Sequence, residues 1–474
     1  MNSDNYEALL KGLGISVLPL SKVKEDNPVF RIDSGYYDRE ALKAESTIKK
    51  QRWCQLSAVA SRVESFGAYA LTNLFTYVDD GIPFLRCLNI RNGVTDFSDV
   101  LYITPKANKL LIKSEVKPRM VLLTMSGSVG NATVALPEWR YPINSNQDLA
   151  KITTKPDCNP YYLAAFLNSR FGQIQMRRLP VGSVQQHILL WMIERLIVPR
   201  FTPNYEKRVA KLVERAFDIH LKSGQLLDKA DEILLQCLEL HNWNPPEPLT
   251  YSQRASVVFA ARRCDAEFFS PRVGGLLQRL KKDNLCVRDV APPRQEPFIP
   301  QREGSFRYIE IGGLTADGSA TVQALRMAEA PSRATAYVHT NDVISSTVRP
   351  IRRLTAMISP DQDGAVCSSG FVVMEPKRIA PEVLLTFLRL PPICELMNLY
   401  TSASMYPAIS ERDLLGLPIR EVGSTAEKQI VKIVQESRAR RLEAEGLFDK
   451  SMRAIETAVE RGETKAMQRL DEES

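Results

Sequence analysis

The sequence predicts an α+β protein made of two tandem copies of one unit, with mixed, curved β-sheets and a pseudo-twofold repeat. Two long helices, packed as an antiparallel coiled coil, would join the copies. Three observations lead to this fold class: strand-like runs in both halves, a long helical pattern after each mixed region, and residue matches that recur at a near-constant offset. The chain has 474 residues, 44% of them hydrophobic, which allows sizeable cores.

The internal repeat is visible at two offsets. Arg31 and Asp33 recur 232 residues later as Arg263 and Asp265, and Cys54 recurs as Cys286. From residue 122 onward the offset is 221, and the matched pairs are Leu122 with Val343, Pro160 with Pro381, Ser183 with Ser404, Ile188 with Ile409, and Glu206 with Glu427. One offset held across strands, helix and linker favours a duplication over two unrelated α/β domains.

Short apolar runs between turns predict the strands of each copy. In the first half they cover residues 82–90, 100–104, 120–124, 129–135 and 150–154, followed by a helix over 160–178. In the second half they cover 305–311, 342–346 and 371–375, followed by a helix over 381–399.

The two long helices are predicted over 204–240 and 425–461. In the first, a line of mostly small residues is spaced by seven, and an apolar line runs three residues on: Val209, Ala216, Ser223, Ala230 and Cys237, then Leu212, Ile219, Leu226, Ile233 and Leu240. The second helix has Ile430, Ser437, Ala444, Ser451 and Ala458 at the matching positions. This 3-4 spacing predicts a coiled-coil seam, and each helix is the natural partner of the other. Ordinary dimerisation helices are the alternative.

These elements predict five segments. They are a first mixed domain at 1–202, a first spacer helix at 203–242, a second mixed domain at 243–422, a second spacer helix at 423–462 and an acidic tail at 463–474.

Composition narrows the class of function. The net charge of +7 fits contact with a polyanion, although many soluble proteins carry such a charge. The eight cysteines form no C-x-x-C pair and there are only four histidines, so we expect no metal site and no cofactor. No apolar run approaches the roughly 18 residues of a membrane span, so we expect a cytoplasmic protein without membrane contact.

Loops in both mixed regions are rich in side chains that suit nucleic acid. Asn and Gln can bind adenine edges, Arg can bind guanine, and Lys and Ser suit phosphates. The candidates in the first half are Lys106, Lys109, Ser126, Ser128, Asn144, Asn146, Gln147, Arg177, Arg178, Ser183, Gln185, Gln186 and His187. Those in the second half are Arg302, Arg307, Arg349, Arg352, Arg353, Ser402, Ser404 and Tyr406. Any single loop is equally well a solvated turn, and the set carries more weight than its members.

Over residues 20–462 the chain resembles the DNA specificity (S) subunit of type I restriction–modification systems. The first half carries LLTMSGSVG at 122–130, NQDLA at 146–150, NPYYL at 159–163 and GSVQQHI at 182–188, and the second carries DVISSTVRP at 342–350 and SSGF at 368–371. The order of these strings, each time followed by Glu-Lys and a long helix, is similar to that of target-recognition domains.

The resemblance implies two target-recognition domains, each reading half of a bipartite target in double-stranded DNA, with the helices as spacer. It also implies two bound DNA methyltransferase subunits and often a motor-nuclease subunit. Helices of this length extend about 55 Å at 1.5 Å per residue, compared with roughly 34 Å for one turn of B-DNA. An alternative is the specificity component of a methylation-linked anti-phage defence system without the type I nuclease.

Enzyme functions find less support, and we expect a non-catalytic subunit. Asn159-Pro160-Tyr161 lacks the second proline of a methyltransferase motif, and Asn244-Pro245-Pro246 is followed by Glu247. Asp99 with Glu115 and Lys117 is a possible nuclease set, but E-x-K is common on surfaces and no matching set occurs in the second half. A coiled-coil scaffold that does not bind DNA is the remaining alternative. The salt dependence of duplex binding distinguishes it from a DNA-binding protein.

Overall fold

The computed structural model describes residues 17–25, 31–66, 75–91, 93–180, 186–245, 247–315, 317–402 and 407–472. Two compact units are present: one runs to Ile219 and resumes at Leu442, and the other is His220–Arg441. Among the described residues, no helix is long and apolar enough to span a membrane.

Sixteen helices are named here in chain order. They are α1 (Leu20–Glu25), α2 (Arg39–Ile48), α3 (Leu56–Val59), α4 (Pro105–Leu110), α5 (Pro160–Asn168), α6 (Arg170–Arg177), α7 (Leu190–Glu194), α8 (Pro203–Cys237), α9 (Ala255–Ala261), α10 (Pro271–Leu280), α11 (Val287–Val290), α12 (Pro381–Arg389), α13 (Pro391–Leu399), α14 (Glu411–Leu415), α15 (Ser424–Arg461) and α16 (Glu463–Glu472).

Twenty-two short strands are named in the same way. They are β1 (Trp53–Gln55), β2 (Ala60–Glu64), β3 (Tyr77–Val78), β4 (Ile82–Leu85), β5 (Ile90–Arg91), β6 (Val94–Thr95), β7 (Leu101–Ile103), β8 (Glu115–Val116), β9 (Val121–Thr124), β10 (Ala132–Val134), β11 (Ile143–Ser145), β12 (Leu149–Thr154), β13 (Ile197–Pro199), β14 (Leu285–Cys286), β15 (Ser305–Ile309), β16 (Gln323–Arg326), β17 (Ala334–Val338), β18 (Val343–Ser346), β19 (Thr355–Met357), β20 (Ala365–Ser368), β21 (Phe371–Met374) and β22 (Pro418–Ile419).

The sheets of the first unit combine antiparallel and parallel pairs. One sheet has the order β10-β9-β12-β2 and is antiparallel throughout. The other has the order β3-β7-β4-β11-β8, with β4 and β11 parallel. Strands β1 and β13 pair separately, so that Cys54 lies opposite Val198.

The second unit repeats this topology. The order β19-β18-β21 is antiparallel and corresponds to β10-β9-β12. The order β16-β15-β20-β17 has a parallel central pair and corresponds to β7-β4-β11-β8. Strands β14 and β22 pair as β1 and β13 do, with Cys286 opposite Pro418. The mixed α+β fold and its repeat are therefore present as the sequence predicts.

Each unit contains a similar arginine cluster, at positions that differ by 232 residues. Arg31 Nε donates to Asp33 at 2.7 Å, and its guanidinium lies 4.9 Å from the Tyr36 ring centroid. Arg263 Nε donates to Asp265 at 2.6 Å and its guanidinium lies 4.0 Å from the Phe268 ring. Arg31 also donates to the Leu179 carbonyl just after α6, and Arg263 donates to the Leu399 carbonyl at the end of α13. The cluster therefore ties the start of each repeat to the end of α6 or α13.

Two predicted helices are broken and one predicted strand ends early. The predicted helix over 160–178 is split at Ser169, whose side chain caps Gly172 at the start of α6. The helix over 381–399 is split before Pro391, because proline cannot continue the ladder of the preceding turn. The strand predicted over 82–90 ends at Leu85, and residues 87–89 form a 3₁₀ turn.

The long helices contact each other within each unit. In the first unit, Tyr205 Oη donates to the Ala454 carbonyl at 2.8 Å, and Arg215 pairs with Glu443 at 3.0 Å. The order of these contacts is antiparallel. In the second unit, the buried hydroxyls of Ser223 and Ser437 lie 2.9 Å apart. The seam residues Ala216, Ser223, Ala230, Ser437, Ala444, Ser451 and Ala458 are buried. Supercoiled packing and the five segment boundaries stay predictions.

The segment predicted as an acidic tail contains helix α16. Ala466 and Leu470 are buried in the apolar core of the first unit. Glu463 accepts a hydrogen bond of 2.9 Å from the Thr202 backbone, and Asp471 pairs with Arg208 at 2.6 Å. The acidic residues of this segment therefore hold it against the beginning of α8.

Candidate nucleic-acid interface

Three loops of the first unit meet at one end of its antiparallel sheet. Met125 follows β9, Asp148 precedes β12, and Ile188 belongs to the segment before α7. The Met125 amide donates to the Asp148 carbonyl at 2.8 Å, and the Ile188 amide donates to the Met125 carbonyl at 2.9 Å. Residues about 60 positions apart in the chain thus form one surface.

Side chains at the centre of this surface hold one another in place. Asp148 accepts from Ser126 Oγ at 3.0 Å and from Asn146 Nδ2 at 2.8 Å. Ser126 Oγ also contacts His187 Nδ1. Nearby, burial raises the pKa of the Cys87 thiol to about 11, and that thiol donates to the Asp148 carbonyl. Asp148 therefore positions the polar groups that surround it.

This serine, histidine and aspartate do not form a hydrolytic triad. In a triad the carboxylate holds the imidazole, and the imidazole takes the serine proton through its other nitrogen. Here the Asp148 carboxylate accepts from the hydroxyl of Ser126 itself. The arrangement supports hydrogen bonding to a ligand edge and not nucleophilic attack.

Predicted contact residues at this surface differ in exposure. Ser128 and Gln186 are exposed, Asn146, Gln147 and His187 are half-buried, and Ser126 is buried. Lys106 and Lys109 lie on the exposed face of α4, and Arg177 is exposed at the end of α6. Ser183 and Gln185 lie outside the described residues.

Asn144 is not a contact residue, contrary to our expectation. Its side chain is fully buried. Its amide donates to Asn108 at 2.8 Å and to the Leu111 carbonyl at 3.0 Å, and its oxygen accepts from Ser114 at 2.8 Å. These bonds use the donors and acceptor that a base edge would need, so Asn144 joins β11 to the α4 region.

Arg178 also has a structural role. It pairs with Glu45 at 2.6 Å, and its guanidinium lies 5.2 Å from the Tyr36 ring. Burial alone would raise the pKa of Glu45, but Arg178 and Lys49 together lower it below its ordinary value. Arg178 thus joins α2 to the end of α6.

In the second unit, backbone bonds hold the corresponding loops. The Thr347 amide donates to the Gly370 carbonyl at 2.8 Å, and the Ile409 amide donates to the Thr347 carbonyl at 2.9 Å. The Arg349 amide donates to the Pro407 carbonyl at 2.8 Å. Ser402 pairs with Ala408 through the backbone.

The predicted contact residues of the second unit differ in exposure and in hydrogen bonding. Arg302 and Arg352 are exposed and Arg349 is half-buried. Arg307 donates to the carbonyls of Asp361 and Asp363. Ser402 is exposed, whereas Ser404 and Tyr406 lie outside the described residues.

Arg353, which we expected to contact DNA, also has a structural role. It donates to Asp231 of α8 at 2.7 Å and to the Arg389 carbonyl at 2.6 Å. Because its guanidinium is committed to a half-buried ion pair, it anchors its loop to α8 and does not reach outward. The partner Asp231 was not anticipated, since it lies 122 residues away in the chain.

The residues considered for a nuclease are engaged with each other or with arginine. Glu115 pairs with Lys117, and Asp99 lies 3.7 Å from Arg86. Among the described residues, no group of three His, Cys, Asp or Glu side chains is arranged to hold a metal ion.

Solved structures similar to this chain include S subunits of type I restriction–modification systems. The S subunit from M. genitalium is 12% identical, with 86% of this chain and 96% of that chain covered and a TM-score of 0.35. The HsdS subunit from Thermoanaerobacter tengcongensis is 13% identical, with 87% and 97% covered and a TM-score of 0.29. A structure concerned with complex assembly and conformational transition of the type I R-M system is 16% identical, with 87% and 98% covered and a TM-score of 0.29.

No protein-family model and no curated protein matches the chain. The solved structures belong to the family whose motifs the sequence resembles. At these identities and TM-scores, a functional conclusion has to come from the residues of this chain.

Proposed function

We propose that this chain is the DNA-binding specificity subunit of a type I-like restriction–modification or methyltransferase complex. Each unit reads one half of a bipartite target in duplex DNA. The chain supplies sequence choice and geometry, and two methyltransferase subunits that it directs to the target supply the chemistry. A motor-nuclease subunit joins where the system restricts DNA.

One observation carries this proposal: the same fold occurs twice, and each copy presents a polar loop surface at the matching end of its antiparallel sheet. In the first unit, Gln147, Gln186 and His187 offer groups that suit base edges. In the second unit, the exposed Arg352, in the turn after β18, suits guanine or phosphate. Two such surfaces on one chain are what a bipartite target requires.

The two long helices supply the spacing in this proposal. Helix α8 has 35 residues and α15 has 38, and neither is interrupted. A continuous helix resists bending, so a pair of them can keep a fixed gap between two half-sites. Methylation itself would require the partner subunits to flip the target base out of the duplex.

Methylome sequencing of cells with and without this chain tests the proposal. We expect a bipartite methylated motif, with a gap of constant length, that disappears when the chain is deleted. An unchanged methylome, or the loss of a single uninterrupted motif, would contradict the proposal.

A further inference from the structure

A concave, basic surface lies elsewhere on the first unit. It is a cleft of about 760 Å³ lined by residues 117–120, residues 153–160, the strand residues Ser61 and Arg62, and the beginning of α8. Five cationic side chains line it: Arg62, Lys117, Arg119, Lys155 and Lys207. We call these five residues and their surroundings the basic cleft.

The cations of the basic cleft are largely unneutralised. Within the described parts of the chain, Arg62 and Lys207 are exposed and form no ion pair. Arg119 lies over the Tyr161 ring at 5.6 Å, and Lys155 donates to the Ala58 carbonyl at 2.8 Å. Of the five, Lys117 is paired with a carboxylate, that of Glu115.

Two carboxylates, those of Asp157 and Glu206, also line the cleft, but they do not cancel the charge of five cations. Asp157 lies 3.6 Å from Arg200, and Glu206 accepts from Arg200 at 2.8 Å. The hydrogen bond to Glu206 also raises the pKa of Arg200, so this guanidinium stays charged and both acids remain directed at it. The five cleft cations therefore present net positive charge to a ligand.

The basic cleft is separate from the proposed DNA-reading surface. Residues 117–120 precede the first residue of β9, whereas Ser126 follows its last residue. Likewise Asp148 precedes β12, whereas Lys155 follows it. The two surfaces lie at opposite ends of one sheet, so a base contact at one does not account for the cations at the other.

The matching region of the second unit is neutralised. Arg62 lies opposite Thr153, and the corresponding position of the second unit is held by Pro292, whose carbonyl accepts from the Glu375 amide at 2.9 Å. The nearby Arg294 pairs with Asp342 at 2.7 Å and Glu375 at 3.2 Å. Asn341 stands 222 residues after Arg119 with the same left-handed backbone, φ 70° against 68°.

At the remaining positions the charge is lost or paired, with one exception. Lys377 corresponds to Lys155, because their amides donate to the matched carbonyls of Val290 and Val59, and it pairs with Glu375 at 2.6 Å. Lys428 matches Lys207 and is exposed. One lysine without an ion pair does not make a cationic cleft, so among the described residues the first unit alone has this feature.

The lining favours a peptide over nucleic acid. Pro118, Met120 and Pro156 add apolar contacts beside the cations, and none of the described lining residues is aromatic. Single-stranded nucleic acid binds on aromatic platforms that this lining does not offer. A duplex, whose major groove alone is about 12 Å wide, is too broad to enter a cleft of about 760 Å³. An extended segment with acidic and apolar side chains matches both parts of the lining.

We propose that the basic cleft binds an acidic segment of a partner protein, one segment per chain. The double repeat would predict two identical partner sites, whereas the charge asymmetry provides one. The ligand therefore binds once for each chain, at the first unit.

A fluorescein-labelled peptide of alternating Glu and Leu residues tests this with the full-length chain. We expect one peptide to bind per chain, and Arg62→Glu combined with Lys207→Glu to weaken peptide binding about tenfold or more, since each reversal replaces an attraction by a repulsion. Neither residue has a charged partner among the described residues, so circular dichroism should show an unchanged structure. Lys428→Glu, the matched change in the second unit, should leave peptide affinity unchanged.

Competition with duplex DNA of random sequence separates the two surfaces. The double variant should bind this duplex as the wild type does. Retained peptide affinity in the double variant, two peptides per chain, or weakened duplex binding with peptide binding intact would each overturn the proposal.

Discussion

The two units share a strand order but differ in how they accommodate charge. In the first unit Arg62 is exposed and forms no ion pair with the described residues, and Lys151 is fully buried in β12. In the second, Arg294 pairs with the buried Asp342, and Val373 occupies the position that corresponds to Lys151 in the strand register. The comparison teaches that the duplicated backbone framework constrains the strand pairings and helix ends, while charges on that framework are free to diverge.

The same contrast holds for the loop surfaces. Equivalent backbone bonds join the loops of both units. In the first unit the side chains of Asp148, Ser126 and Asn146 also bond to one another, whereas in the second the Thr347 hydroxyl donates to the Gly370 carbonyl at 3.0 Å. Substitution of a side chain should therefore disturb recognition more in the first unit than in the second.

The largest expected effect concerns a paired arginine of the second unit and an exposed arginine of the first. Arg294→Ala should cost about 3–5 kcal/mol of unfolding free energy, because it leaves the carboxylate of Asp342 buried without its cation. Arg62→Ala, at an arginine with no ion pair among the described residues, should cost no more than about 0.5 kcal/mol. Urea denaturation followed by circular dichroism measures both. Equal costs would show that the charge asymmetry has no energetic meaning.

The buried lysine should make the first unit sensitive to alkaline pH. Burial lowers the pKa of Lys151 from 10.5 to about 8, although Glu64 opposes this. Between these two values the unfolded chain holds the proton that the folded chain has lost, so stability rises with pH across this window. A shift of this size corresponds to about 3 kcal/mol.

The matched substitution isolates this effect. Lys151→Val introduces the residue type found at the corresponding Val373 and removes the titrating group. Relative to this variant, the wild type should gain about 3 kcal/mol of unfolding free energy between neutral pH and about pH 10.5. A difference between the two proteins that does not change with pH would mean that Lys151 is not titrating in this window.

A smaller effect is expected at the loop surface. Asp148→Ala removes the acceptor shared by Ser126 and Asn146, and should weaken binding to one half-site by about 10- to 100-fold. Gly370 holds the corresponding position of the second unit, since its carbonyl accepts from the Thr347 amide as that of Asp148 does from the Met125 amide, so no side chain has this role there. Fluorescence anisotropy with duplexes mutated in either half-site measures this. Equal weakening at both half-sites would count against separate reading by the two units.

Much of the framework could be predicted from sequence because local and periodic signals report on it. The long helices begin and end within three residues of the predicted bounds, since 3.6-residue periodicity persists over many turns. The offsets of 232 and 221 identified equivalent elements because Arg31 and Arg263 make the same bonds. The breaks at Ser169 and Pro391 were missed, although a serine cap and a proline were there to mark them.

The candidate site was harder to predict because exposure depends on distant partners. Asn144 lies in a strand buried on both faces, where alternation of polar and apolar residues does not apply. Arg353 is held by Asp231, which no local pattern connects to it. The candidate contact residues included no carboxylates, and they therefore omitted Asp148, the acceptor that organises the first surface.

Shortening both long helices tests the central claim, that two similar units read half-sites at a distance set by those helices. Deleting residues 220–226 and 434–440, which are centred on the paired Ser223 and Ser437, removes about two turns from each helix. We predict a methylated motif in cells with both half-sites unchanged and a gap shortened by about three base pairs, since the loss of roughly 10 Å of helix matches about three 3.4 Å steps of DNA. A methylated motif with the original gap would contradict the account.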